Sequence, residues 1–151
     1  MANTQAMCTS FKSEILQAYH NFGTTVTRAG TGADTFKAAL YLTSATINAS
    51  TTAYTATGEV TGTNYTAGGV TVTNATAPTT SGTTVYWTPS ASLTYTNVTL
   101  STAFDTVLIY NSTQSNRAVS VHTFGSQTVT AGTFTLTMPT NAAGTALLNI
   151  A

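Results

Sequence analysis

The sequence is poor in charged residues. Only eight of its 151 residues carry a formal charge, four basic and four acidic, and the net charge is zero. The charged fraction is 5%, against about 25% in a typical globular domain. The basic residues Lys12, Arg28, Lys37 and Arg117 are scattered along the chain. Because phosphate binding depends on clustered cations, we expect no nucleic-acid partner.

Long apolar runs and paired cysteines are also missing. The longest apolar runs, residues 38–42 and 107–110, are far shorter than the roughly 20 residues that span a bilayer. No basic stretch followed by an apolar one opens the sequence, so it predicts no secretory signal peptide. Cys8 is the one cysteine and cannot form a disulfide within the chain. These features predict synthesis and assembly in a cytoplasm, without a membrane partner.

Residues suited to catalysis are few. General acid–base chemistry needs titratable groups brought together, and the chain offers Cys8, two histidines and four acids. Cys8 with His122 as its base and Asp105 as the orienting acid is one conceivable arrangement. Cys8 falls on a predicted helix, however, where a small buried side chain is the favoured interpretation. No cluster has the ligand spacing of a zinc site. We therefore predict no enzymatic activity, no metal and no cofactor.

Threonine takes the place of the missing charges. It supplies 38 residues and alternates with apolar residues, most clearly in the segment TFTLTM of residues 133–138. Alternation with a period of two is typical of a strand with one buried face. A β-branched residue with a hydroxyl suits the solvent side of such a strand.

The alternating segments predict a mainly-β fold, an antiparallel β-sandwich or jelly-roll-like single domain. Ala131-Gly132 is predicted to form a tight hairpin turn between two neighbouring strands. The predicted strands lie near residues 35–42, 58–61, 70–76, 83–88, 93–100, 104–110, 117–124, 127–130, 133–138 and 146–150.

One helix is predicted, over residues 4–22, ending at Gly23. The chain is thus divided into an N-terminal helical segment, residues 1–23, and a β-sandwich domain, residues 24–151. The helix either packs on its own domain or docks as an arm on a neighbouring subunit, and both interpretations stay open. Its apolar stripe consists of Met7, Phe11, Ile15, Tyr19 and Phe22.

Two adjacent aromatic residues, Tyr86 and Trp87, add to the candidate interface, because tyrosine and tryptophan are enriched where proteins bind one another. Local packing is the alternative explanation for both. The candidate interface residues are therefore Met7, Phe11, Ile15, Tyr19, Phe22, Tyr86 and Trp87.

Four stretches of the sequence carry a resemblance to a known family. They are TQAMCTSFK at residues 4–12, DTFKAALY at 34–41, YTAGG at 65–69, and LIYNS at 108–112 followed by NRAV at 116–119. In content, order and spacing they resemble a family of small virion proteins of tailed bacteriophages. Their order and spacing extend the resemblance over residues 4–119, which is most of the chain.

The resemblance implies a head protein, a decoration or cement protein that binds outside the major capsid lattice. It implies a β-sandwich or jelly-roll core, a homo-oligomer with a trimer favoured, and a place on the capsid surface after assembly in the bacterial cytoplasm. It transfers no catalytic residue. Two alternatives remain open. One is another virion part, such as a tail, head–tail connector or fibre-base component; the other is a carbohydrate-binding or adhesive β-sandwich on the virion surface.

Overall fold

The computed structural model describes residues 3–16, 18–22, 33–73 and 76–150. These residues form an antiparallel, mainly-β fold, which confirms the expected class. In chain order the elements are β1 (Ala6–Met7), α1 (Thr9–Leu16), β2 (Phe36–Leu42), β3 (Val70–Thr71), β4 (Thr79–Ser81), β5 (Thr84–Trp87), β6 (Leu93–Asn111), β7 (Arg117–Leu136) and β8 (Leu148–Ile150).

Two sheets contain these strands. The larger has the order β1-β7-β6-β2-β3, and the smaller has the order β4-β5-β8. Most of the larger sheet is a single hairpin, since β6 and β7 are 19 and 20 residues long and pair with each other along their length. Every pairing in both sheets is antiparallel.

The long hairpin is bent back on itself. Phe124 and Phe134 are ten residues apart on β7, a separation of about 33 Å in an extended strand, yet their ring centroids lie 5.4 Å apart. The Phe104 ring on β6 lies 5.0 Å from Phe134. Irregular pairing between Leu100 and Thr106 of β6 marks the bend. The two halves of the hairpin therefore pack face to face, as the layers of a β-sandwich do.

The bend explains why the predicted strand boundaries in this region are wrong. The predicted pieces 93–100 and 104–110 are one strand, and so are the pieces 117–124, 127–130 and 133–138 as far as Leu136. The predicted hairpin turn at Ala131-Gly132 is also wrong. Ala131 has a φ of 46° inside β7, where the register with β6 shifts. The residue is part of a β-bulge, which changes the twist without reversing the chain.

Two other predicted strands are shorter than expected. The segment 70–76 reduces to Val70–Thr71, and its residues 74 and 75 lie outside the described residues. The segment 58–61 reduces to a single bridge between Tyr41 and Glu59. The jelly-roll connectivity stays a prediction.

The predicted helix over residues 4–22 is too long. Ala6–Met7 pairs with Val121 and Ser120 of β7 as a strand, and the helix itself spans Thr9–Leu16. Ala18 has a left-handed φ of 56°, which an α-helix does not continue through. The predicted stop at Gly23 lies outside the described residues, and the division into residues 1–23 and 24–151 stays a prediction.

The N-terminal segment packs on its own domain. Cys8 and Phe11 belong to the buried core, with 0% and 1% of their surface exposed. The Cys8 backbone N–H donates to the Val119 carbonyl of β7. Of the two interpretations of this segment, the structure shows the packed one.

Candidate functional site

An apolar groove lies between α1 and the sheet β4-β5-β8. It encloses about 150 Å³. Its floor is made by the apolar face of the small sheet, on which Trp87 of β5 lies opposite Leu148 of β8 and Val85 lies opposite Ile150. The lining residues are Phe11, Ile15, His20, Phe22, Pro78, Val85, Tyr86, Trp87, Leu148 and Ile150.

The groove holds the exposed large apolar side chains of the described residues. Ile15 is 36% exposed, Val85 40% and Ile150 42%, and all three line it. Large apolar side chains exposed singly are ordinary, whereas several on one concave surface are typical of a binding site. Apart from His20, no lining side chain is titratable between pH 5 and 8.

Phe22 connects the two sheets behind the groove. Its ring stacks on Phe36 of β2 at 4.4 Å between centroids, with 14° between the planes. The same ring lies 4.7 Å from Trp87 of β5. The groove wall is therefore fixed to the larger sheet through aromatic packing.

Five of the seven predicted interface residues meet at this groove: Phe11, Ile15, Phe22, Tyr86 and Trp87. Met7 lies elsewhere, in β1, and packs against the core. Tyr19 lies 4.2 Å beneath the Arg117 guanidinium.

Trp87 is 2% exposed and its Nε1–H donates to the Thr76 carbonyl at 2.8 Å. The indole therefore shapes the floor and has no free face on which a sugar ring could stack. The sequence interpretation missed Val85, Leu148 and Ile150, although the alternation of Leu148 and Ile150 within the predicted strand 146–150 was an available signal.

A buried polar network lies beside the groove. His20 Nε2 is 2.8 Å from Glu14 Oε2, and His20 Nδ1 is 3.1 Å from Asn111 Nδ2. That amide nitrogen also donates to Asp34 Oδ2 at 2.8 Å. Because an amide nitrogen only donates, His20 Nδ1 accepts, and Nε2–H donates to Glu14.

This arrangement leaves His20 neutral and unable to act as a base toward the groove. Burial lowers the pKa of His20, and the hydrogen bond to Glu14 partly opposes that effect. Both ring nitrogens are engaged within the network. The His20 side chain is only 1% exposed, and its ring packs against Phe11 and Phe36, so it offers little surface to anything that enters the groove.

Arg117 of β7 completes the network. Its Nη1 lies 2.5 Å from Glu14 Oε1, and its guanidinium stacks over Tyr19. Glu14, on α1, is thus held between a histidine and an arginine. The ion pair ties the helix to the start of β7 and fixes one side of the groove.

The conceivable catalytic group of Cys8, His122 and Asp105 is not assembled. Burial raises the pKa of the Cys8 thiol to about 12, so the reactive thiolate is scarce near neutral pH. The Asp105 carboxylate accepts from Asn3 Nδ2 and Thr106 Oγ1. His122 Nε2 lies 2.9 Å from Ser120 Oγ.

His122 lines a second cavity, of about 200 Å³, at the mouth of the bent hairpin. Its other walls are mostly apolar and include Leu93 of β6 and Phe124 and Leu136 of β7. Burial lowers the pKa of His122 to about 4, so the ring is neutral at physiological pH. Ser120 is only 1% exposed and does not line the cavity, so this pair presents no nucleophile.

A third polar cluster surrounds Glu59 and is structural. Glu59 Oε1 accepts from the Tyr65 hydroxyl at 2.8 Å and from the Gly68 N–H at 2.7 Å. Oε2 accepts from the Tyr54 hydroxyl at 2.6 Å. All three donors belong to the connection between β2 and β3, and so does Glu59. The carboxylate therefore folds this long connection onto itself.

No protein family, curated protein or solved structure matches the chain. Within the described ranges, no three histidine, cysteine or acidic side chains are grouped so that they could hold a metal ion. None of the helices among those residues has the length and apolar character needed to cross a membrane. Of the cavities and polar clusters described above, the groove has the geometry best suited to binding.

Proposed function

We propose that this protein is a bacteriophage head protein that decorates the assembled capsid and cements it. One observation carries the proposal beyond the sequence resemblance. The exposed large apolar side chains of the described residues, Ile15, Val85 and Ile150, converge on one groove. A groove of this kind suits an apolar segment of another protein.

The occupant we propose is an uncharged, apolar segment of the major capsid protein. Apart from His20, whose two ring nitrogens are engaged elsewhere, the groove lining supplies no acid or base to pair with a charged partner segment. Burial of apolar area is then the driving force, at about 25 cal/mol per Å². A decoration protein that binds the assembled shell and not free subunits stabilises that shell by mass action.

The proposed role is non-catalytic and uses no cofactor or metal. Support comes from the buried Cys8 thiol and from His20, whose two nitrogens are engaged. We also propose that copies associate with each other, as the resemblance implies with a trimer favoured. The proposed location is the outer surface of the capsid, reached after assembly in the host cytoplasm.

Co-sedimentation with capsids tests the proposal. The chain is mixed with shells assembled from the major capsid protein of the same genome, and bound protein is measured after pelleting. We expect saturable binding to expanded shells, and a double variant Val85→Thr, Ile150→Thr to bind at least about tenfold more weakly, because it replaces exposed apolar groups with polar ones. Both positions lie on strands, where threonine is well tolerated.

Val70→Thr is the matched control. Val70 is half-buried on β3, at the outer end of the larger sheet, and does not line the groove. It should bind as the unmodified chain does. Binding to purified tails and not to shells would contradict the head assignment, and binding to glycans alone would favour an adhesive role. If the double variant bound as tightly as the unmodified chain, the groove would not be part of the interface.

A further inference from the structure

The distal part of β7 presents a long unpaired edge. On one side β7 pairs with β6 throughout. On its other side β1 pairs only with Ser120 and Val121. Across the parts of the chain that the structure describes, no strand pairs with this side of residues 127–136, which we call the β7 edge. Residues 122–126 of β7 separate this edge from the stretch that pairs with β1.

Nothing in the sequence of the β7 edge blocks another strand. Edges are usually protected by lysine, proline or short length. The segment QTVTAGTFTL contains no charged residue and no proline. The outer strands of the described sheets, β1, β3, β4 and β8, are only two or three residues long. A strand that covers the β7 edge fully must be about ten residues long. The side of β6 that faces away from β7 is also unpaired before Phe104, but the bridge between Thr99 and Thr63 interrupts it. A second β7 edge is therefore the partner of matching length.

The bulge at Ala131 gives the β7 edge an unusual symmetry. Along the β7 edge, half-buried and exposed side chains alternate. Before the bulge the half-buried position is odd-numbered, at Val129, and after the bulge the half-buried positions are even-numbered, at Phe134 and Leu136. A two-fold axis between Ala131 and Gly132 places every odd-numbered residue opposite an even-numbered residue of the partner subunit. Because the bulge shifts the alternation by one residue, this register brings matching faces together.

The geometry points to a dimer in which two copies of this chain pair antiparallel through the β7 edge. Val129 then lies opposite Phe134 of the partner subunit, on the half-buried face. Thr128 lies opposite Thr135 of the partner subunit, and Thr130 opposite Thr133 of the partner subunit, on the exposed face. Aromatic pairs with β-branched residues and pairs of threonines are favourable across strands.

The pairing is long enough for a stable contact. Residues 127–130 and 133–136 of each copy form eight residue pairs, and an antiparallel ladder supplies about one hydrogen bond per pair. A standard interface carries about 10 ± 5 hydrogen bonds. No like charges meet across the axis, because the segment has none. The contact is isologous and closes with two copies, so it leaves no long edge for fibre growth.

This inference does not depend on the proposed role in a capsid, since it concerns the purified chain alone. It also differs from the trimer that the resemblance favours. Failure of capsid binding and failure of dimer formation are therefore separate outcomes.

Sedimentation equilibrium of the purified chain tests the dimer. We expect twice the mass of the chain at micromolar concentration. The double variant Thr130→Lys, Thr133→Lys places lysines opposite each other and should raise the dissociation constant at least about tenfold. The control Thr94→Lys, Thr96→Lys carries the same charges on exposed positions of the neighbouring strand β6 and should leave it unchanged. A monomer at all concentrations, a trimer, or equal weakening by both variants would overturn the proposal.

Disulfide trapping tests the register. A Thr130→Cys chain mixed and refolded with a Thr133→Cys chain should form a mixed cross-linked dimer in high yield. A mixture of Thr128→Cys with Thr133→Cys, which is two residues out of register, should give little. Cys8 is fully buried and takes no part. Equal yields from the two mixtures, or none from the first, would refute the two-fold register.

Discussion

At the residue scale, the buried polar side chains are where this protein is most sensitive. Glu14, Asp34 and Glu59 are at most 6% exposed, and each belongs to a hydrogen-bonded cluster. A buried charge without partners costs several kcal/mol. The stability of variants at these positions therefore shows whether the remaining members of each cluster can form other hydrogen bonds.

Glu59 provides the clearest comparison. Glu59→Ala leaves two tyrosine hydroxyls and the Gly68 N–H without their acceptor, so we expect a loss of about 3 kcal/mol in the free energy of unfolding. Glu59→Gln keeps an oxygen for Tyr65 and Gly68 and can donate to the Tyr54 oxygen, so the loss should be about 1 kcal/mol. Urea denaturation measures both, and an equal loss would contradict this account of the cluster.

His122 predicts a pH dependence of stability. Burial lowers its folded-state pKa to about 4, from an ordinary value of 6.5. Between those values the unfolded chain binds a proton that the folded chain does not. The free energy of unfolding therefore falls as the pH falls through this window, by up to about 3 kcal/mol.

The test compares the unmodified chain with His122→Gln by urea denaturation from pH 7 to pH 4. All other side chains are the same in both proteins, so the difference between the two curves isolates His122. The variant should show the shallower pH dependence. Parallel curves would show that the His122 ring is solvated in the folded state.

Substitutions at two glycines allow the cost of backbone strain to be measured separately from the cost of steric overlap. Gly69 has a φ of 73°, and a Cβ there would overlap the Ala38 carbonyl oxygen of β2. Gly82 has a φ of 58° with open space around it. We expect Gly69→Ala to cost at least about 3 kcal/mol and Gly82→Ala only about 1 kcal/mol. Thermal unfolding of the two variants checks the difference, and similar melting temperatures would argue against close packing of β3 on β2.

At the element scale, the N-terminal segment behaves as part of the core. It contributes β1 to the larger sheet, Phe11 to the buried cluster and Phe22 to the contact between the sheets. If the segment were an arm that docks on a neighbouring subunit, as one interpretation of the sequence has it, removing residues 1–22 would weaken capsid attachment or oligomer formation more than it disturbs the β-domain. The packing reverses that expectation.

Deletion of residues 1–22 should therefore unfold the chain or greatly lower its melting temperature. Phe11→Ala isolates part of this effect and should cost about 3–5 kcal/mol, because it opens a cavity at a side chain that is 1% exposed. Phe11→Leu keeps most of the volume and should cost about 1 kcal/mol. Far-UV circular dichroism during heating measures all three. A folded, stable truncated chain would contradict the packing described for the segment.

At the scale of the whole molecule, three of the four acids are buried, whereas the described threonines other than Thr88 and Thr106 are at least partly exposed. The outer face of the long hairpin carries exposed threonines such as Thr94, Thr96, Thr133 and Thr135. Hydroxyl groups hydrate this face without giving it a charge. Copies of the chain can then pack closely without electrostatic repulsion.

Association through such surfaces should depend little on salt. We expect the dissociation constants of the proposed dimer and of the proposed capsid complex to change by less than about threefold between about 0.05 and 0.5 M sodium chloride, because few ion pairs are there to be screened. Sedimentation at several salt concentrations measures both. A tenfold or greater weakening at high salt would show that charged side chains carry the contact.

The sequence by itself determined the class of the fold and much of the groove. Alternation of threonine with apolar residues has a period of two, a local property that can be read without knowing any partner strand. The helical spacing of Phe11 and Ile15, and the adjacent Tyr86 and Trp87, identified four residues that line the groove. The burial of Cys8 also followed from its residue type.

Only the tertiary structure decided how these pieces meet. The bend that brings Phe124 onto Phe134, and the difference between a turn and a bulge at Ala131, depend on pairing with β6, which local sequence does not specify. The same holds for the acids: a carboxylate goes inside only where distant residues such as His20, Asn111 and Arg117 provide its partners. Local patterns determine which segments form strands. Long-range contacts determine which faces and edges of those strands, and which charged groups, remain available for binding.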